Sequence, residues 1–79
     1  MQSSENDVIT QESFIKEFGK TRLDISENLV ILFYFNEHSQ WAQLKYYSKE
    51  LNFNIGKPLK TLTEVKDLYK LLTEDYYYE

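Results

Sequence analysis

The chain contains no cysteine, so it has neither a disulfide nor a thiolate metal site. That composition fits a reducing compartment. Glycine occurs twice and proline once, which leaves no Gly-rich phosphate loop and no structureless linker. The single histidine, His38, has no second His or Cys to complete a zinc site and reads as an exposed loop residue. Basic residues are outnumbered, 9 against 13 acids, for a net charge of −4. A phosphate-backbone binder needs a basic stripe, so this balance argues against one and permits a partner with a basic surface. The longest apolar run spans residues 29–35, far short of the ~20 residues a membrane helix needs. Residues 1–7 are polar and acidic, with no basic start and no apolar run, so no signal peptide is visible. The expectation is a soluble, cytoplasmic protein.

What is present is aromatic. Seven Tyr, five Phe and one Trp make 16% of 79 residues. Large rings let a small core bury much area, and they also dominate binding surfaces. A chain of this length is one domain, with stability of roughly 3–5 kcal/mol from one core. Residues 1–8 and 74–79 read as flexible ends.

The first helix opens at Thr10, an N-cap with Gln11 and Glu12 in its first turn. Ile9 before the cap and Phe14 four residues beyond it form a hydrophobic staple. Phe14, Ile15 and Phe18 make a narrow stripe, and Gly19 stops the helix. Residues 21–26 alternate, with Leu23 and Ile25 on one side and Arg22 and Asp24 on the other, as an edge strand. A turn follows at Ser26-Glu27-Asn28, where Asn28 tolerates positive φ. Residues 29–35 and 41–47 read as two strands of a hairpin joined by Asn36-Glu37-His38-Ser39-Gln40. Ser48-Lys49-Glu50 turns again into a fourth strand over 51–55, which Gly56-Lys57-Pro58 ends. Thr61 and Glu64 form a capping box, and Leu62, Val65, Leu68, Tyr69 and Leu72 recur at helical spacing.

The order is α-β-β-β-β-α. Each helix has one apolar stripe, so each needs a surface. These features predict an α+β two-layer sandwich, a four-stranded antiparallel meander with both helices on one face. The helix side should hold Leu23, Ile25, Leu29, Ile31, Phe33, Phe35, Leu44, Tyr46, Leu51, Phe53 and Ile55. That leaves Val30, Leu32, Tyr34, Trp41, Gln43, Lys45 and Tyr47 on an open face rimmed by Arg22, Asp24, Asn52 and Asn54.

An aromatic centre within a polar rim is the layout of a protein–protein interface. Val30, Leu32, Tyr34, Trp41 and Tyr47 are the expected anchors, with Lys45 beside them. The acidic, aromatic tail of Glu74, Asp75, Tyr76, Tyr77, Tyr78 and Glu79 is a secondary contact that suits a basic groove. The carboxylate pairs, Glu74-Asp75 and the Glu5–Asp7 stretch, lie at the ends rather than in a concave site, which argues against acid–base catalysis. No enzyme, cofactor or metal is expected.

The second helix, Lys60-Thr61-Leu62-Thr63-Glu64-Val65-Lys66-Asp67-Leu68-Tyr69-Lys70-Leu71-Leu72-Thr73, follows an aromatic hairpin and resembles the ends of short proteins of phages and mobile elements. Small, acidic, cysteine-free α+β proteins of this kind include anti-CRISPR inhibitors of host defence. The resemblance implies a stoichiometric inhibitor in the host cytoplasm, docking on an effector protein or a protein–nucleic-acid complex. It transfers no functional residue. Two rivals stand beside it. In one, the open face makes a homodimer, sheet on sheet. In the other it binds single-stranded nucleic acid, which the scarcity of cations on that face (Lys45 and Arg22) disfavours.

Overall fold

A computed structural model describes residues 7–74. The elements are α1 (Gln11–Phe18), β1 (Arg22–Asp24), β2 (Leu29–Phe35), β3 (Gln40–Tyr47), β4 (Asn52–Leu59) and α2 (Leu62–Glu74). The strands form one antiparallel sheet in the order β1-β2-β3-β4. This is the expected α+β meander, and both helices pack on one face. No helix among the described residues is long and apolar enough to cross a membrane.

Local chemistry sets both helix starts. The Thr10 hydroxyl accepts from the Ser13 amide at 3.0 Å, and the Thr10 amide donates back to Ser13 Oγ at 2.9 Å. Ile9 and Phe14 are both fully buried, as a staple requires. Gly19 ends α1 at φ 84°, and its amide reaches the Ile15 carbonyl at 2.7 Å. At α2, Thr61 Oγ1 accepts from the Glu64 amide, and Glu64 Oε1 accepts from the amides of Lys60 and Thr61. A third device comes from far along the chain. Asp7 Oδ1 accepts from the Thr63 amide at 3.2 Å and its hydroxyl at 3.1 Å. Val8 bridges to Thr61, and the Ile9 amide donates to the Lys60 carbonyl. Asp7 and Val8 therefore belong to the folded body.

Across the sheet, Leu23 pairs with Ile31, Ile31 with Leu44, and Leu44 with Ile55, so one apolar row crosses all four strands. Phe33, Ala42 and Leu59 form the next row. Ile9 and Phe14 at α1 and Val65 of α2 close the core over these rows. The rings of Tyr69, Phe18, Phe14, Phe33 and Phe35 follow one another from α2 across α1 to β2 at 4.8–6.3 Å.

Four details differ from the sequence expectation. Phe35, Leu51 and Phe53, expected inside, are 61%, 56% and 49% exposed. Phe35 lies at the end of β2, Leu51 just before β4 and Phe53 near its start, and β4 is an edge strand with no strand beyond it among the described residues. Gly56-Lys57-Pro58 does not end β4. Between the pairs Ala42↔Leu59 and Leu44↔Ile55, β3 supplies one residue and β4 three. The result is a bulge, with Gly56 at φ 73° supplying the left-handed turn. Asn28 does not have positive φ, and its side-chain Nδ2 instead donates to the Tyr47 carbonyl at 2.9 Å. The first strand is shorter than expected, because Ile25 and Ser26 turn back onto the Leu29 carbonyl.

Candidate functional site

The face opposite the helices follows from the register. Tyr34 lies beside Trp41, Leu32 between Arg22 and Gln43, and Val30 between Asp24 and Lys45. Tyr47 and Asn52 complete the next row. All the expected outward residues of β2 and β3 therefore share this face, and their exposures divide them.

At one end, the rings of Tyr34 and Trp41 stack with centroids 5.7 Å apart and planes 22° apart. This is a directly opposed cross-strand pair, worth about 0.5–1.5 kcal/mol beyond the area it buries. Both rings are half-buried, as is Leu32 beside them. No element among the described residues lies over them.

The centre is closed by its own side chains. Arg22 Nε donates to Asp24 Oδ1 at 2.9 Å, and Arg22 Nη2 donates to the Tyr47 hydroxyl. The guanidinium carbon stands 5.7 Å from the Tyr47 ring centroid. Arg22 is on β1 and Tyr47 on β3, so this link must pass over β2. Val30 lies beneath it and is 1% exposed. The hydrogen bonds that Arg22 donates, to Asp24 first and then to Tyr47, hold its pKa above its ordinary value. Val30 is thus outward by register but out of reach of a partner, a correction to its expected role as an anchor. Tyr47 is half-buried, with its hydroxyl engaged by Arg22.

Gln43 is the other closed position, 4% exposed. It stands opposite the three residues of the bulge. Its Nε2 donates to the carbonyls of Ile55 and Gly56, both at 3.2 Å. These are main-chain acceptors that an ordinary ladder would not leave to a side chain, so Gln43 stabilises the irregularity rather than a ligand. Sequence reasoning placed Gln43 outward but missed this role. Its one signal is a glutamine amid apolar neighbours, opposite a Gly-Lys-Pro run.

Lys45 is half-buried beside Val30 and is in no ion pair among the described residues. Glu74 ends α2, on the helix layer and not on this face. Asp75, Tyr76, Tyr77, Tyr78 and Glu79 lie outside the described residues. His38 sits in the β2–β3 loop with its side chain 86% exposed, 3.8 Å from Glu37. Among the described residues no three His, Cys, Asp or Glu side chains gather as metal ligands.

The site is therefore a small apolar platform of Leu32, Tyr34 and Trp41. Beside it lie a polar clasp on one flank and Lys45. Its chemistry is that of contact: ring faces and edges, one aliphatic side chain, one indole N–H and one phenol hydroxyl. A scan against protein-family models and searches of curated proteins and of solved structures found no match.

Proposed function

We propose that the chain is a non-catalytic protein-binding module that docks through the Tyr34–Trp41 end of its open sheet face. One observation carries this: the stacked pair sits on the face that neither helix covers. Aromatic anchors beside an aliphatic neighbour and within a polar rim supply most of the energy of protein interfaces. Leu32 extends the platform and Lys45 can pair with an acidic group of the partner. The chain's own net charge of −4 favours a partner that is basic around that contact. In its fullest form the module is a small inhibitor that occupies a host effector or nucleoprotein complex. That form rests on the resemblance of the second helix to short phage proteins.

Single-stranded nucleic acid is a weaker occupant. Arg22 is held by Asp24 and Tyr47, which leaves Lys45 as the unpaired cation of this face among the described residues. Base stacking on Trp41 would then lack a track for phosphates.

Trp41 is the only tryptophan, so it reports its own contact. Partner capture from the native host, identified by mass spectrometry, should be lost in a Trp41→Ala/Tyr34→Ala variant whose far-UV circular dichroism is unchanged. Binding of the captured partner should shift Trp41 emission in the wild type. Retained capture by the double variant would sink this reading. Light scattering of the isolated chain, with and without Trp41→Ala, shows whether the same stack instead joins two copies face to face.

A further inference from the structure

Among the described residues the sheet has two free edges, and they differ. β1 is three residues long and carries the Arg22–Asp24 ion pair, which blunts it. β4 is eight residues long and ends the strand order on the other side. Its distal part is protected: Gly56 turns its carbonyl back to Gln43, Pro58 has no N–H, and Val8 bridges to Thr61 just beyond. Residues 52–55 have no such protection among the described residues.

Hydrogen bonding shows which main-chain groups face outward there. The Tyr47 amide donates to the Asn28 carbonyl, toward β2, and the Ser48 amide to the Leu51 carbonyl, toward β4. Alternation then turns Leu44 and Tyr46 toward β4, and turns their partners Phe53 and Ile55 back toward β3. Asn52 and Asn54 are left with amide and carbonyl directed away from the sheet.

An apolar flank stands above this edge. Glu64 of α2 pairs with Lys57 of β4 at 3.8 Å, whereas Lys66 pairs with Glu17 of α1 at 3.6 Å. The Glu64 side of α2 therefore faces away from α1, over the outer flank of β4. Leu71 follows Glu64 by seven residues, two turns on the same side, and is 61% exposed. Phe53, on the helix side of β4, is 49% exposed.

We propose that this edge joins a second copy of the chain, β4 to β4 antiparallel, about a two-fold axis through Asn54. The register is self-complementary. Asn54 meets Asn54 of the second copy as a hydrogen-bonded pair, and Phe53 meets Ile55 across the axis on the helix side. Residues 52–56 carry no charge, so no like charges oppose one another at the axis. The four-stranded sheet becomes eight-stranded, with the Leu71 flanks of the two α2 helices above the seam. A two-fold pairing closes on itself, and the blunted β1 edges face outward, so growth stops at two. This surface is separate from the Tyr34–Trp41 platform, which stays open in such a dimer.

Light scattering from micromolar to millimolar concentration tests it. The wild type should reach twice 9.5 kDa. Asn54→Pro removes the outward N–H at a position where an edge strand tolerates proline. Phe53→Glu places a charge in the paired row on a side chain already half exposed. Both should run as monomers with wild-type circular dichroism, and Trp41→Ala should remain dimeric. Phe53→Glu alone decides if Asn54→Pro fails to fold. A wild type that stays monomeric, a dimer that survives Phe53→Glu, or a dimer lost with Trp41→Ala overturns the proposal.

Discussion

At the residue scale, Gln43 shows what one polar side chain does when it is sealed in a sheet. Two carbonyls of the β4 bulge have its amide as a donor. Gln43→Leu keeps similar volume but removes that donor. It should cost about 1–3 kcal/mol, the usual penalty for stranding buried acceptors, read as a lower urea midpoint at unchanged slope. The role was not legible beforehand. Gly56-Lys57-Pro58 carries the same local signals whether it stops a strand or bulges one, and only the opposing residue decides. Val30 is a similar case. Alternation correctly put it outward, but its burial depends on a diagonal link from Arg22 to Tyr47, which appears only once the register of three strands is known. Tyr34 and Trp41 were legible as neighbours because a short hairpin loop fixes their register.

At the element scale, both helices owe their starts to local chemistry. The Thr61–Glu64 box was legible because capping partners sit three residues apart. The amide of Lys60, then burial opposing it, then the Thr61 amide and hydroxyl and the charge of Lys57 leave the Glu64 pKa below its ordinary value. A carboxylate depressed in the folded state stabilises the fold above its unfolded pKa, and that stability is lost as pH falls through the folded value. Wild-type stability should therefore decline on the acid side of the usual carboxylate range. Glu64→Gln should be less stable near neutrality, and its difference from wild type should shrink as pH falls. Urea titrations of both proteins across that range check the sign. The strand interiors, the rows through Ile31 and Leu44, were read correctly because alternation is strong where helices cover them. Strand ends were not, since a period of two says which way Phe35 and Phe53 point but not how far the cover extends at the end of a strand or along an edge strand.

At the scale of the whole molecule, α1 and α2 on one face leave the opposite face to the strands alone. The Tyr34–Trp41 platform and the β4 edge thus lie on different sides of the molecule, one on a face and one on a rim. The fold class was legible because each helix has a single apolar stripe and the connections between strands are short. The tie between Asp7 and α2 was not, since nothing in residues near position 7 announces a partner near position 63.

That tie also bears on how the fold is reached. The pairings of β2 with β3 and β3 with β4 join residues close along the chain, so they close small loops and can form early. Asp7 reaches Thr63 across 56 positions, a loop that closes only after the sheet and α2 exist. Asp7 then acts as a latch. Asp7→Ala should leave the folding rate nearly unchanged and raise the unfolding rate, with most of its stability loss on that limb of the chevron. Stopped-flow measurements in urea would show it. A matching fall in the folding rate would mean that the latch belongs to the nucleus instead, and that this small sheet assembles from its ends inward.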